Sequence, residues 1–158
     1  MTSQFYETLE NITAGTTLKD PNQALNGNLA LHTGENPTQV VVNRQTLADA
    51  LQVDADQFVF ANQTHSKKAY QVKADDRGRG SQTTEDAVDD VDALYTYETD
   101  IVLGVFTADC VPVLFYDEDS SLIGAIHSGW KGTVQDIVSW TFAQIKGQDP
   151  DLFMGKMK

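Results

Sequence analysis

The chain has 158 residues, 41% of them hydrophobic and 22% charged, and a formal net charge of −12. That length suits one domain of ~100–150 residues and is enough to bury a core without staples. The carboxylate excess argues against duplex DNA, RNA and anionic membranes as general partners, because those surfaces attract basic patches; a single cysteine, Cys110, rules out an internal disulfide.

No apolar stretch reaches the ~18 residues of a membrane span, and the N-terminus lacks a basic segment followed by an apolar one. The expectation is a cytoplasmic protein with one domain over residues 1–158. Residues 1–23 are weakly patterned, with apolar pieces at Phe5-Tyr6 and Ile12. Ala24 to Gly34 mixes turn formers with small apolar residues and reads as a folded loop. Asn36 can cap a helix that starts at Pro37. Val40, Val41, Arg44, Leu47, Ala48 and Leu51 follow at helical spacing, which predicts a helix over 37–51.

Residues 57–62 predict a short strand leading to Gln63-Thr64-His65-Ser66, and the alternation of 68–73 predicts another. Residues 74–90 carry Gly78, Gly80 and many carboxylates, and read as a solvated loop rather than a lid. Strands are expected over 91–97 and 101–106. Two apolar runs, 111–116 and 122–126, flank an acidic turn and predict a hairpin. Val134, Ile137, Val138, Phe142 and Ile145 predict a helix ending near Gly147. Strands mixed with two or three helices give an α/β or α+β fold with mixed sheets flanked by helices.

The outer ends of a hairpin lie on the same side, so Cys110 and His127 are expected to be neighbours. Together with His65 they form a candidate catalytic zinc set. Three protein ligands leave the fourth tetrahedral position open, and thiolate with imidazole suits zinc or copper better than magnesium or calcium. Against this stands the common role of a lone cysteine as a small buried apolar residue. Asp109 is a candidate proton carrier, or equally a turn residue bonding its own backbone. Gly129 and Lys131 stand where a helix begins and are candidates for phosphate binding. The pattern is not a P-loop, since Gly-x-x-x-x-Gly-Lys-Ser/Thr is absent. Arg44, on an otherwise apolar helix face, either snorkels outward or turns inward to bind an anion. His32 stays outside the proposed metal shell.

Four motifs in order carry a family resemblance: Leu-Ala-Leu-His-Thr-Gly-Glu-Asn-Pro…Asn-Arg, Gln-Thr-His, Thr-Ala-Asp-Cys-Val-Pro-Val and His-Ser-Gly-Trp-Lys-Gly-Thr. From about Ala24 to about Pro150 the chain resembles the YfiH-like proteins, also called the multicopper polyphenol oxidase or laccase-domain family and, more recently, purine nucleoside phosphorylases. The resemblance implies mixed sheets flanked by helices and a metal site, zinc before copper, on His65, Cys110 and His127. It implies phosphorolysis of adenosine, inosine, guanosine and methylthioadenosine, with adenosine deamination as a side activity; some bacterial members are described as peptidoglycan editing factors. The implied partners are purine nucleosides and phosphate. Members continue through a Gly-Pro-Ser-Ile-Gly motif that residues 149–158 do not supply, so a chain lacking the family's C-terminal part is expected. Ser128 and Lys131 stand where Ala and Arg are frequent, and Lys lacks the bidentate geometry of Arg. Two other readings are a hydrolase with Cys110 as nucleophile and His127 as base, and a non-catalytic, metal-stabilised peptidoglycan-editing or binding module.

Overall fold

A computed structural model describes residues 2–7, 10–129 and 133–148. In chain order the elements are β1 (Ser3–Phe5), β2 (Gly15–Thr17), α1 (Pro37–Leu51), β3 (Phe58–Asn62), β4 (Ala69–Gln71), β5 (Val88–Asp89), β6 (Ala93–Thr96), β7 (Val102–Gly104), β8 (Val111–Asp117), β9 (Leu122–Ser128) and α2 (Thr133–Gln148). β1 and β2 pair as a small antiparallel ribbon that the weak patterning of the N-terminal residues did not predict. A parallel sheet runs β5-β3-β7, and a mixed sheet runs β4-β6-β9-β8. The fold is mixed α/β.

Helix α1 begins where its sequence says it should. The Asn36 side chain accepts from the N–H groups of Thr38 and Gln39 at 3.0 and 3.3 Å, and Pro37 occupies the first turn. Such a cap is worth ~1 kcal/mol. The helix ends at Gln52, whose left-handed φ of 57° closes the last turn.

The two-residue period of the strands separates the layers. On β3, Phe58 and Phe60 pack against Ala48, Leu47 and Leu51 of α1, while Val59 and Ala61 turn to the other side. There they meet Val72, Val91, Leu94 and Ile101. On β6, Ala93 and Tyr95 face α2 through Ile137, Phe142 and Ile145, whereas Leu94 faces the inner cluster. The layers therefore run α1, parallel sheet, mixed sheet, α2, with an apolar seam between the sheets. Each fully buried large apolar side chain in it, such as Leu94, contributes roughly 1.5–3 kcal/mol.

The hairpin of β8 and β9 pairs Val111 with Ser128 through Asp117 with Leu122. Its second strand runs two residues further than the apolar pattern indicates, and so includes His127. Phe115 lies directly across from Gly124, and its ring covers the space that a Cβ at Gly124 would fill. The 74–90 segment differs from the solvated loop expected. It contains a single helical turn at Ala74–Asp76 and the short strand β5, and it buries Asp76, Gly80, Ser81, Ala87 and Val88. Polar composition hid this, because the groups that anchor the segment are backbone carbonyls.

Candidate metal centre

β3 ends, β6 begins and β9 ends at one edge of the inter-sheet seam. His127 lies in the last part of β9 and is 5% exposed. Ile126 pairs with Ala93 and packs toward α2, so His127 points into the seam. The next residue along β6 toward its start is Asp92, 1% exposed, whose carbonyl accepts the His127 N–H at 2.7 Å. The Asp92 carboxylate meets the imidazole as well: Oδ2 lies 2.7 Å from His127 Nδ1. A carboxylate in its ionised form can only accept, so Nδ1 is the donor that matches it, and in the neutral imidazole Nε2 then keeps its lone pair.

His65 arrives from the connection after β3. It is exposed and has a left-handed backbone, φ 60°. Its ring stands edge-on to that of His127, with centroids 5.3 Å apart. The connection is tied to Asp92: Thr64 and Ser66 N–H donate to Oδ1 at 3.0 and 2.9 Å, and His65 N–H donates to Oδ2 at 3.2 Å. Asp90 braces the same turn. It accepts from Thr64 Oγ1 at 2.5 Å and from Lys68 Nζ at 2.6 Å, and these contacts hold its carboxyl below the usual carboxylate range, the lysine most strongly.

One ligand atom from each of His65, Asp92 and His127 lies within 4.8 Å of the others. The sequence-predicted His65 and His127 thus come together. Cys110 is half-buried and is not part of that cluster. Pro112 pairs with His127, and Cys110 lies two residues before Pro112, in the bend that leads into β8. Asp109 is exposed beside it. Gly129 is half-buried directly after β9, and Lys131 lies outside the described residues. His32 packs edge-on against Phe106, with centroids 5.5 Å apart.

Arg44 is turned inward and is 2% exposed. Nε donates to the Leu29 carbonyl at 2.8 Å, and Nη1 to those of Gly80 and Ser81 at 2.5 and 2.8 Å. Its guanidinium sits 4.1 Å over the Phe60 ring. Burial lowers its pKa to about 10, so it stays charged at neutral pH. Two of its three nitrogens are thus spent on the fold, joining the 28–31 turn to the 78–81 turn.

Asp92 is the functional residue that the sequence reading missed. The available signal was a carboxylate at the head of Ala93-Leu94-Tyr95, a run too apolar to leave a charge without partners. The donor set fits a transition metal. Two imidazoles converge, one of them held through Nδ1 by a buried carboxylate, which is how metal-binding histidines are commonly oriented.

The family model described as multi-copper polyphenol oxidoreductase laccase matches residues 14–152. "Purine nucleoside phosphorylase YlmD" of Bacillus subtilis (strain 168) is 42% identical over 110 residues, covering 70% of this chain and 40% of that protein. A purine nucleoside phosphorylase of Staphylococcus aureus (strain COL) is 34% identical over 146 residues, covering 92% of this chain and 55% of that protein. Among solved structures, the hypothetical protein YfiH of Bacillus licheniformis superposes with a TM-score of 0.78 at 37% identity, over 86% of this chain and 53% of that one. YlmD of Geobacillus stearothermophilus gives 0.75 at 35% identity, over 78% and 46%. The chain spans about half the length of the curated relatives it matches.

Proposed function

This chain belongs to the multi-copper polyphenol oxidoreductase laccase family, and on that premise we propose that it carries the metal centre of a purine nucleoside phosphorylase. The observation that carries the reading is the convergence of His65 and His127 on one side of a buried carboxylate, at the open edge of the seam. The names of the relatives supply the reaction class. The reaction breaks the bond between the ribose anomeric carbon and a purine nitrogen and forms a bond from that carbon to a phosphate oxygen. Adenosine, inosine, guanosine and methylthioadenosine are the proposed substrates, with adenosine deamination as a second activity of the same centre.

Zinc is the metal proposed, held by His65, His127 and, as third ligand, Cys110. Three histidines in the whole chain are too few for several copper ions. When bound, zinc would supply a Lewis acid and a site for an anionic or water oxygen. The chain's own residues do the rest. Asp92 holds the proton on Nδ1 of His127, which keeps Nε2 facing the open side. Asp109, exposed beside Cys110, is the group proposed to pass a proton to the leaving base. Gly129 and Lys131, at the chain's entry to α2, are proposed to bind phosphate. Arg44 is proposed to support the anion through its remaining nitrogen.

The test is incubation of zinc-loaded protein with inosine and phosphate, followed by chromatography of the bases. Hypoxanthine release that requires phosphate supports the reading, and its absence from folded, zinc-loaded protein counts against it. Adenosine in parallel separates adenine, the phosphorolysis product, from inosine, the deamination product. The His127–Asp92 pair would also orient a base for a Cys110 nucleophile. Iodoacetamide tells the two apart: a zinc-bound thiolate is protected until a chelator is added, whereas a catalytic thiol reacts at once.

A further inference from the structure

Asp92 belongs to the cluster that can surround a metal, yet its hydrogen bonding assigns it a different task. We propose that Asp92 is the positioning residue of the centre and not one of its ligands, an inference that rests on the metal-site reading above. A carboxylate offers about four lone-pair sites. Here four donors occupy them: the N–H groups of Thr64 and Ser66 on Oδ1, and the His65 N–H and His127 Nδ1 on Oδ2. At 1% exposed, the residue has no solvent to replace any of these bonds. Ligation by either oxygen would displace one or more of these donors.

The same residue fixes both histidines by separate means. Its main chain holds the His127 segment, since Asp92 O accepts the His127 N–H at 2.7 Å, while its own N–H donates to Lys68 O at 3.2 Å. Its side chain holds the His65 segment. Three successive N–H groups, from 64 to 66, can turn toward one carboxylate because His65 adopts the left-handed conformation. Successive N–H groups arranged in this way form a concave anion site, and here the anion is internal. A non-glycine residue in that region persists only where its surroundings enforce it; the carboxylate is the enforcing group. The chemical consequence is a defined tautomer. Nδ1 of His127 carries the proton, and Nε2 is left to ligate.

The test uses the full chain and the near-isosteric Asp92→Asn variant. In metal-free wild-type protein, ¹⁵N–¹H correlation of the imidazoles is expected to show His127 protonated on Nδ1. In Asp92→Asn an amide nitrogen would face Nδ1, and the tautomer is expected to switch to Nε2–H. Zinc affinity, measured by competition with a chromophoric chelator, is expected to fall ~10–100-fold. With Co²⁺ at saturating concentration, the ligand-field spectrum of the variant is expected to match the wild type, because the ligand set is intact. A changed spectrum would make Asp92 a ligand and overturn the proposal. So would an Nε2–H tautomer in the wild type, or unchanged zinc affinity in the variant. If Asp92→Asn fails to fold, the wild-type tautomer alone decides. Zinc binding without phosphorolysis would sink the enzymatic reading and leave this one standing.

Discussion

The two histidines of the centre are held in opposite ways. His127 sits inside a seven-residue strand, paired to Pro112 on β8 and bonded to Asp92 at the head of β6, and is buried. His65 sits in an exposed connection with an unfavourable backbone conformation, and its turn is fixed by side-chain carboxylates. A sheet positions an imidazole by many shared backbone bonds. A turn must recruit one strong acceptor instead. The same residue type should therefore respond differently to the same mutation.

The largest expected contrast comes from truncating each imidazole. His127→Ala leaves a buried carboxylate short of its charge-assisted partner, and calorimetry or denaturant unfolding should show a loss of roughly 3 kcal/mol. His65→Ala removes an exposed ring and should change stability by less than about 0.5 kcal/mol. Both should lose high-affinity zinc binding. Equal destabilisation of the two variants would remove the distinction between sheet-held and turn-held histidines. Next in size is Gly124→Val, which forces the Phe115 ring out of its position and should cost ~1–3 kcal/mol through overpacking; a Phe115→Ala background should relieve part of that cost.

Acid pH probes the turn-rich side of the molecule. Burial acts to raise the Asp76 carboxyl, but hydrogen bonds from the Lys73 N–H, Arg79 and Tyr70 outweigh it and hold the pKa below the ordinary value. A folded value below the unfolded one means that the ionised form stabilises the fold above the unfolded pKa of about 4, and that this contribution disappears as pH falls through the folded value. Stability measured below pH 4 should therefore drop, and Asp76→Asn should flatten that limb; an unaltered acid limb in the variant would refute the assignment. The smallest effect belongs to the hairpin. Ser128 Oγ is buried with no partner among the described residues. Ser128→Ala should raise stability by about 1 kcal/mol or less, read as a small rise in Tm.

Much of this was legible in the sequence, for identifiable reasons. Asn36-Pro37 and the spacing of Val40, Leu47, Ala48 and Leu51 placed α1, because capping and periodicity are local properties. The hairpin was legible because two apolar runs flank Asp117–Ser121. His65 and His127 stood out as strand-end histidines. Asp92 did not: it falls in the strand expected over 91–97, just after Asp89 and Asp90, and nothing local sets it apart from those acids. What distinguishes it is non-local: four donors that come from residues 64–66 and 127. The 74–90 segment misled for the same reason, since its carbonyls at Gly80 and Ser81 are satisfied by Arg44, far away in sequence.

The contact between Phe115 and Gly124 also acts as a proofreading device for the hairpin. A slip of one residue would set the Phe115 ring against Ile123 or Ala125, whose side chains occupy the space that only a glycine leaves open. That same slip would turn every β9 side chain to the opposite face and carry His127 out of the seam. One missing Cβ, well removed from any ligand atom, thus decides which nascent pairings of β8 and β9 can go on to build the centre.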